Sequence, residues 1–132
     1  MANANKAKGT AYETAICRYL IGWGFDARRK VQRGQHDEGD IEVREIPDLV
    51  IQAKNQGQLR IADWLDSAID QGRAAGAPLA LVVAKRRGKP VADSFVVVAL
   101  DTFADMMTEL HEGRVAIEAA ELQERLDNEE AE

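Results

Sequence analysis

The 132-residue chain carries 17 Lys+Arg against 23 Asp+Glu, a formal net charge of −6, and is 45% hydrophobic but only 5% aromatic. That length holds one domain with an aliphatic core and excludes two. No apolar run reaches the roughly 18 residues of a membrane span, the first residues lack the apolar segment of a secretion signal, and Cys17, the only cysteine, excludes an internal disulfide and fits a reducing cytoplasm.

Residues 2–8 are small and polar and are expected to form a mobile arm. Gly9-Thr10 can cap a helix running to about Ile21, with Tyr12, Ile16, Tyr19, Leu20 and Trp23 as its apolar stripe. Cys17 packs there as a small apolar residue, since a catalytic thiol needs a nearby His. Glu13 lies one residue off the stripe, either solvated at the helix start or at the edge of the core. After Gly22-Trp23-Gly24, residues 25–32 read as the first strand, carrying Arg28, Arg29 and Lys30, with Arg33 just beyond. Residues 34–39 read as a loop, a plain connector or a segment that closes over a substrate; its Asp37 and Glu38, with Glu42, are reserve metal ligands.

Residues 40–44 and 49–54 are β-prone, and the break at Glu45-Ile46-Pro47 leaves room only for an antiparallel hairpin. A turn centred on Ile46 pairs Arg44 with Asp48, Glu42 with Val50 and Asp40 with Gln52. Side chains two apart share a face, so Asp40, Gln52 and Lys54 project together while Leu49, Ile51 and Ala53 anchor the other face on a core. A hard cation such as Mg²⁺ needs only one or two protein oxygens beside water and phosphate, and a lysine next to it reaches the phosphate on which charge grows. An ordinary solvated hairpin is the alternative.

Residues 61–75 form a helix with Trp64, Leu65, Ala68 and Ile69 inward and Asp63, Asp66 and Asp70 outward. Gly76-Ala77-Pro78 ends it, and the apolar run 79–84 reads as a strand buried on both faces. Lys85-Arg86-Arg87-Gly88-Lys89 is a basic loop, residues 94–99 a second buried strand, residues 103–111 a short helix, residues 115–126 a weak helix, and residues 127–132 a disordered end. Residues 1–100 hold 15 Lys+Arg against 12 Asp+Glu, and residues 101–132 hold 2 against 11, so a mildly basic body precedes an acidic tail. The expected division is a domain over 1–112 and an acidic segment over 113–132.

Asp40, then Gln52-Ala53-Lys54, preceded by Gly9-Thr10-Ala11-Tyr12-Glu13 at a helix start, resembles the PD-(D/E)XK nuclease superfamily, and within it the small Holliday-junction resolvases of the archaeal type. The likeness covers residues 8–99 and departs at Gln52, where the family usually has an acidic residue. It implies an α/β, restriction-endonuclease-like fold, a five-stranded mixed sheet flanked by helices. It further implies a homodimer that cuts four-way or other branched DNA with Mg²⁺, for which Mn²⁺ substitutes. Glu13, Asp40, Gln52 and Lys54 would be catalytic, with metal on Asp40, Gln52 and Glu13. Arg28, Arg29, Lys30, Arg33, Lys85, Arg86, Arg87 and Lys89 would bind DNA. Gln71 is then either a surface glutamine or a residue that orients the site. The alternatives are another nuclease of the superfamily, nicking, repair or restriction-like, and a catalytically silent DNA-binding protein of the same fold.

Overall fold

A computed structural model of the chain describes residues 2–30 and 40–131, with Asp40 and residues 2–5 described by their backbone alone. The elements follow the order α1 (Ala2–Gly22), β1 (Ala27–Arg29), β2 (Asp40–Val43), β3 (Leu49–Lys54), α2 (Ile61–Ala75), β4 (Leu79–Ala84), β5 (Phe95–Val97) and α3 (Leu100–Glu130). The strands form one mixed sheet in the order β1-β2-β3-β4-β5, in which only β3 and β4 run parallel as neighbours. No described helix is long and apolar enough to cross a membrane. The expected α/β class and the five-stranded mixed sheet are observed, and so is the hairpin register, with Asp40 opposite Gln52 and Ile41 opposite Ile51.

Alternation along the strands assigns the two faces. Ala80, Val82 and Ala84 form one core with Trp64 and Ala68 of α2, joined by Ile69 and Val97. Register puts Val50, Gln52 and Lys54 in the same row set, because Val50 pairs with Ala80, Gln52 with Val82 and Lys54 with Ala84. The other face holds Ile41, Ile51 and Leu81, all buried, and is covered by α1, whose Tyr12, Ile16 and Cys17 are buried. The Tyr12 hydroxyl donates to Ser94 Oγ at 2.7 Å, which ties α1 to the segment entering β5.

Several expectations are corrected. Residues 2–8 are helical rather than an arm, in keeping with their alanines, the best helix formers. Tyr19 and Trp23 are exposed and meet edge to face at 6.5 Å, so the inward stripe of α1 is narrower than the apolar pattern. β1 spans three residues rather than eight, Lys30 lies just past it, and Val31 and Gln32 fall outside the described residues. β5 is not buried: as the outermost strand it leaves Phe95 40% and Val96 61% exposed. The region read as two helices and a disordered end is a single 31-residue helix, α3, which runs through Gly113 and the 112/113 boundary. One glycine costs a helix only about 1 kcal/mol, and the Ala, Glu, Leu and Arg around it outweigh that. Residues 1–98 and 99–132 form separate compact units, and α3 has no buried residue.

α2 ends at Gly76, whose φ of 69° is the left-handed conformation that glycine adopts without a Cβ penalty. One turn earlier, a Cβ on Gly72 would lie 2.6 Å from the Ala77 carbonyl oxygen, so the turn that leaves α2 folds back on the helix at a distance only glycine permits. Gly72→Ala is therefore expected to destabilise the domain by about 1–3 kcal/mol, read as a lower midpoint in urea. Gly113→Ala, with open space at its Cβ, should instead raise α3 helicity by circular dichroism.

Burial pushes the Tyr12 phenol above its ordinary pKa, only partly offset by the bond to Ser94. The unfolded chain then loses this proton first, so the contribution to stability is complete below about pH 10 and is lost as pH rises beyond it. Tyr12→Phe should flatten the alkaline limb of stability against pH while costing about 0.5–1.5 kcal/mol at neutral pH.

Candidate functional site

Strand directions bring chemistry to one end of the sheet. β1, β3 and β4 end there while β2 and β5 begin there, which gathers Arg29, Lys54, Ala84, Asp40 and Phe95 at one edge. Ligands of open α/β sheets bind outside the carboxyl ends of the strands.

On the α2 face, Gln52 is only 1% exposed, a polar side chain within an apolar strand. A buried amide is tolerated only when hydrogen-bonded, and Gln52 Nε2 donates to Gln71 Oε1 on α2. Gln71 is half-buried with its side chain on Gln52, rather than a surface glutamine. Lys54, two residues on, is half-buried at the strand end.

On the α1 face, Glu13 is 6% exposed and accepts a hydrogen bond from Arg29 Nε at 2.7 Å, while Arg29 Nη2 reaches Thr10 Oγ1 at 3.4 Å. A buried carboxylate needs such a cation. Arg29 pairs with Ile41, which pairs with Ile51, so this ion pair sits on the face opposite to Gln52. Glu13 is thus at the core edge rather than solvated, and Arg29 is engaged with it. The neighbouring Cys17 thiol is pushed up in pKa by burial, with Arg29 lowering it and Glu13 raising it; a thiol held protonated is a packing residue.

The remaining cations divide. Arg28 binds Asp26 at 3.1 Å, and this holds the Asp26 carboxyl below its usual range, with Arg44 adding at 3.9 Å. Arg28 also lines a shallow cavity with Glu42, away from the basic loop. Lys85, Arg86, Arg87 and Lys89 line another cavity, of about 490 Å³, together with Lys8. Among the described residues no carboxylate lines it. Lys85 N donates to the Lys54 carbonyl at 2.9 Å, so the cavity opens directly beyond Lys54. Phe95, with the Arg86 guanidinium 5.2 Å from its ring centroid, forms part of the wall. Sequence reading placed Lys8 in an arm and Phe95 in the core; only the outer position of β5 exposes the ring. Arg33, Asp37 and Glu38 lie outside the described residues.

Among the described residues no three His, Cys, Asp or Glu side chains gather as metal ligands. The paired positions 40 and 52 are an aspartate and a glutamine, residue types whose cation donors are oxygens. Without sulfur or imidazole, that set suits a hard divalent ion completed by water and phosphate. Compared with models of protein families, with curated proteins and with solved structures, the chain matches none.

The Gln52–Gln71 bond makes a stability prediction. Gln71→Ala removes an acceptor from a buried amide and should cost about 1–3 kcal/mol in chemical denaturation. A Gln71→Ala variant with unchanged stability would show that the bond contributes nothing.

Proposed function

We propose that the protein is a divalent-cation-dependent endonuclease of restriction-endonuclease-like fold that hydrolyses phosphodiester bonds of branched DNA. The observation that carries this reading is the alignment at one sheet end of Asp40 opposite Gln52, Lys54 two residues further, and a cavity of cations just beyond. Asp40 and the Gln52 Oε1 would hold Mg²⁺ or Mn²⁺. The ion, when bound, supplies Lewis acidity toward phosphate and water. Lys54 presents its ammonium to the phosphate oxygens on which charge develops. Glu13, neutralised by Arg29, positions the end of β1 rather than standing as a free carboxylate. Lys85, Arg86, Arg87 and Lys89 take backbone phosphates, which position DNA without reading its sequence. Symmetric cleavage of a four-way junction requires a two-fold dimer.

A second reading, a DNA-binding protein without cleavage, is favoured by one observation: Gln52 replaces a charged ligand by a neutral one that is 1% exposed and already bonded to Gln71. Cleavage of a four-way junction, a linear duplex and single strands with Mg²⁺ or Mn²⁺ separates the two. In the nuclease reading Asp40→Asn and Lys54→Ala each lower the cleavage rate by about 10²–10³-fold, while junction affinity in EDTA stays near the unmodified level. Gln52→Leu is also inactive and Gln52→Glu active. Wild-type cutting by either the Asp40 or the Lys54 variant sinks this assignment.

A further inference from the structure

We propose that the cavity beyond Lys54 receives an unpaired nucleotide of DNA, with its phosphates among the cations and its base against Phe95. This rests on the reading of the protein as acting on DNA and specifies which part of the DNA is held.

The cavity combines two chemistries that duplex binding alone does not use together. Five cations, Lys8, Lys85, Arg86, Arg87 and Lys89, form a polyanion site. Within it, Phe95 is 40% and Leu59 47% exposed, apolar surface left wet where the other walls are charged. A paired, stacked base has both faces covered, so a duplex offers this cavity phosphates only. A base freed from its stack offers a π-face to the Arg86–Phe95 pair, in which the guanidinium lies over one face of the ring at 5.2 Å from its centroid and the base takes the outer face of the stack. Asn55 and Gln56 line the same cavity and bring amide donors and acceptors to a base edge. The volume of about 490 Å³ lies in the range of roughly 300–1,000 Å³ typical of sites for small organic molecules. Branch points and single-stranded ends supply such nucleotides. Because Lys85 N bonds the Lys54 carbonyl, the loop that lines the cavity is tied to the strand end that carries Lys54.

The test is equilibrium binding in EDTA, where cleavage does not interfere, using labelled oligo(dT), oligo(U), a linear duplex and a junction carrying 2-aminopurine at its branch point. The expected result is quenching of 2-aminopurine and tighter binding of oligo(dT) than of duplex at equal length. Phe95→Ala should weaken oligo(dT) binding by at least about fivefold and remove the quenching, while leaving duplex affinity unchanged. Phe95→Tyr, which keeps the ring, should retain both. Equal binding of single strand and duplex, a Phe95→Ala variant that binds oligo(dT) as the parent does, or a preference for oligo(U) would each overturn the proposal. Those outcomes, together with junction cleavage by the parent, would leave the nuclease reading standing. Quenching and single-strand preference without cleavage in Mg²⁺ or Mn²⁺ would support the cavity and sink the nuclease.

Discussion

The hydrogen bond from Gln52 to Gln71 is the constraint on which the arrangement of the sheet end depends. β3 is buried on both faces by α1 and α2, so a polar side chain at its fourth residue must find its partner on the covering helix. That requirement fixes the rotation of α2 about its axis and its position along β3, because Gln71 must meet Gln52 while Trp64 and Ala68 fill the core beside Val82 and Ala84. Gly72, next to Gln71, has the Ala77 carbonyl where a Cβ would stand, and so lets the turn after α2 fold back tightly on the helix. The parallel register of β3 with β4 then ends Lys54 and Ala84 at one level. The basic loop that follows Ala84 therefore starts beside Lys54, bonded to its carbonyl.

The opposite face is organised by another buried polar pair. Glu13 and Arg29 neutralise each other between α1 and β1, and a strand only three residues long is held against the helix largely by that bond and by Ala27. Replacing one partner would leave a desolvated charge, a larger loss than the pair's net contribution. The pair therefore specifies where β1 docks more than it adds to stability.

Much of the fold was legible because period-two alternation and turn chemistry are local. Leu49–Lys54, Ile61–Ala75 and Leu79–Ala84 were read with the observed bounds, and a three-residue break forced the register of Asp40 with Gln52. What was not legible depends on sheet order. Residues 79–84 and 95–97 are equally apolar, yet β4 is central and β5 is an edge, and nothing in either run distinguishes them. The candidate site divides in the same way. The hairpin members could be found by spacing, but the Gln71 contact, the Arg29–Glu13 pair and the exposure of Phe95 each join distant segments. The single helix through Gly113 was not legible for another reason: its apolar pattern weakens after residue 111, while the helix itself is carried by strong helix formers on both sides of the glycine.

Net charge is the wrong quantity by which to judge whether such a protein meets a polyanion. The value of −6 averages a basic body with an acidic helix, and electrostatic influence in physiological salt falls off over a Debye length of about 8 Å. At 1.5 Å per residue the 31 residues of α3 extend roughly 46 Å, several Debye lengths, so each of its carboxylates acts only on what lies close to it. The lining of the cavity beyond Lys54 is itself strongly basic, with five cations sharing a concave surface with a phenyl ring. Like charges so placed repel one another and hold a standing unfavourable potential. An anion relieves that repulsion, and the apolar wall beside it adds a preference for an anion that brings a flat, uncovered face.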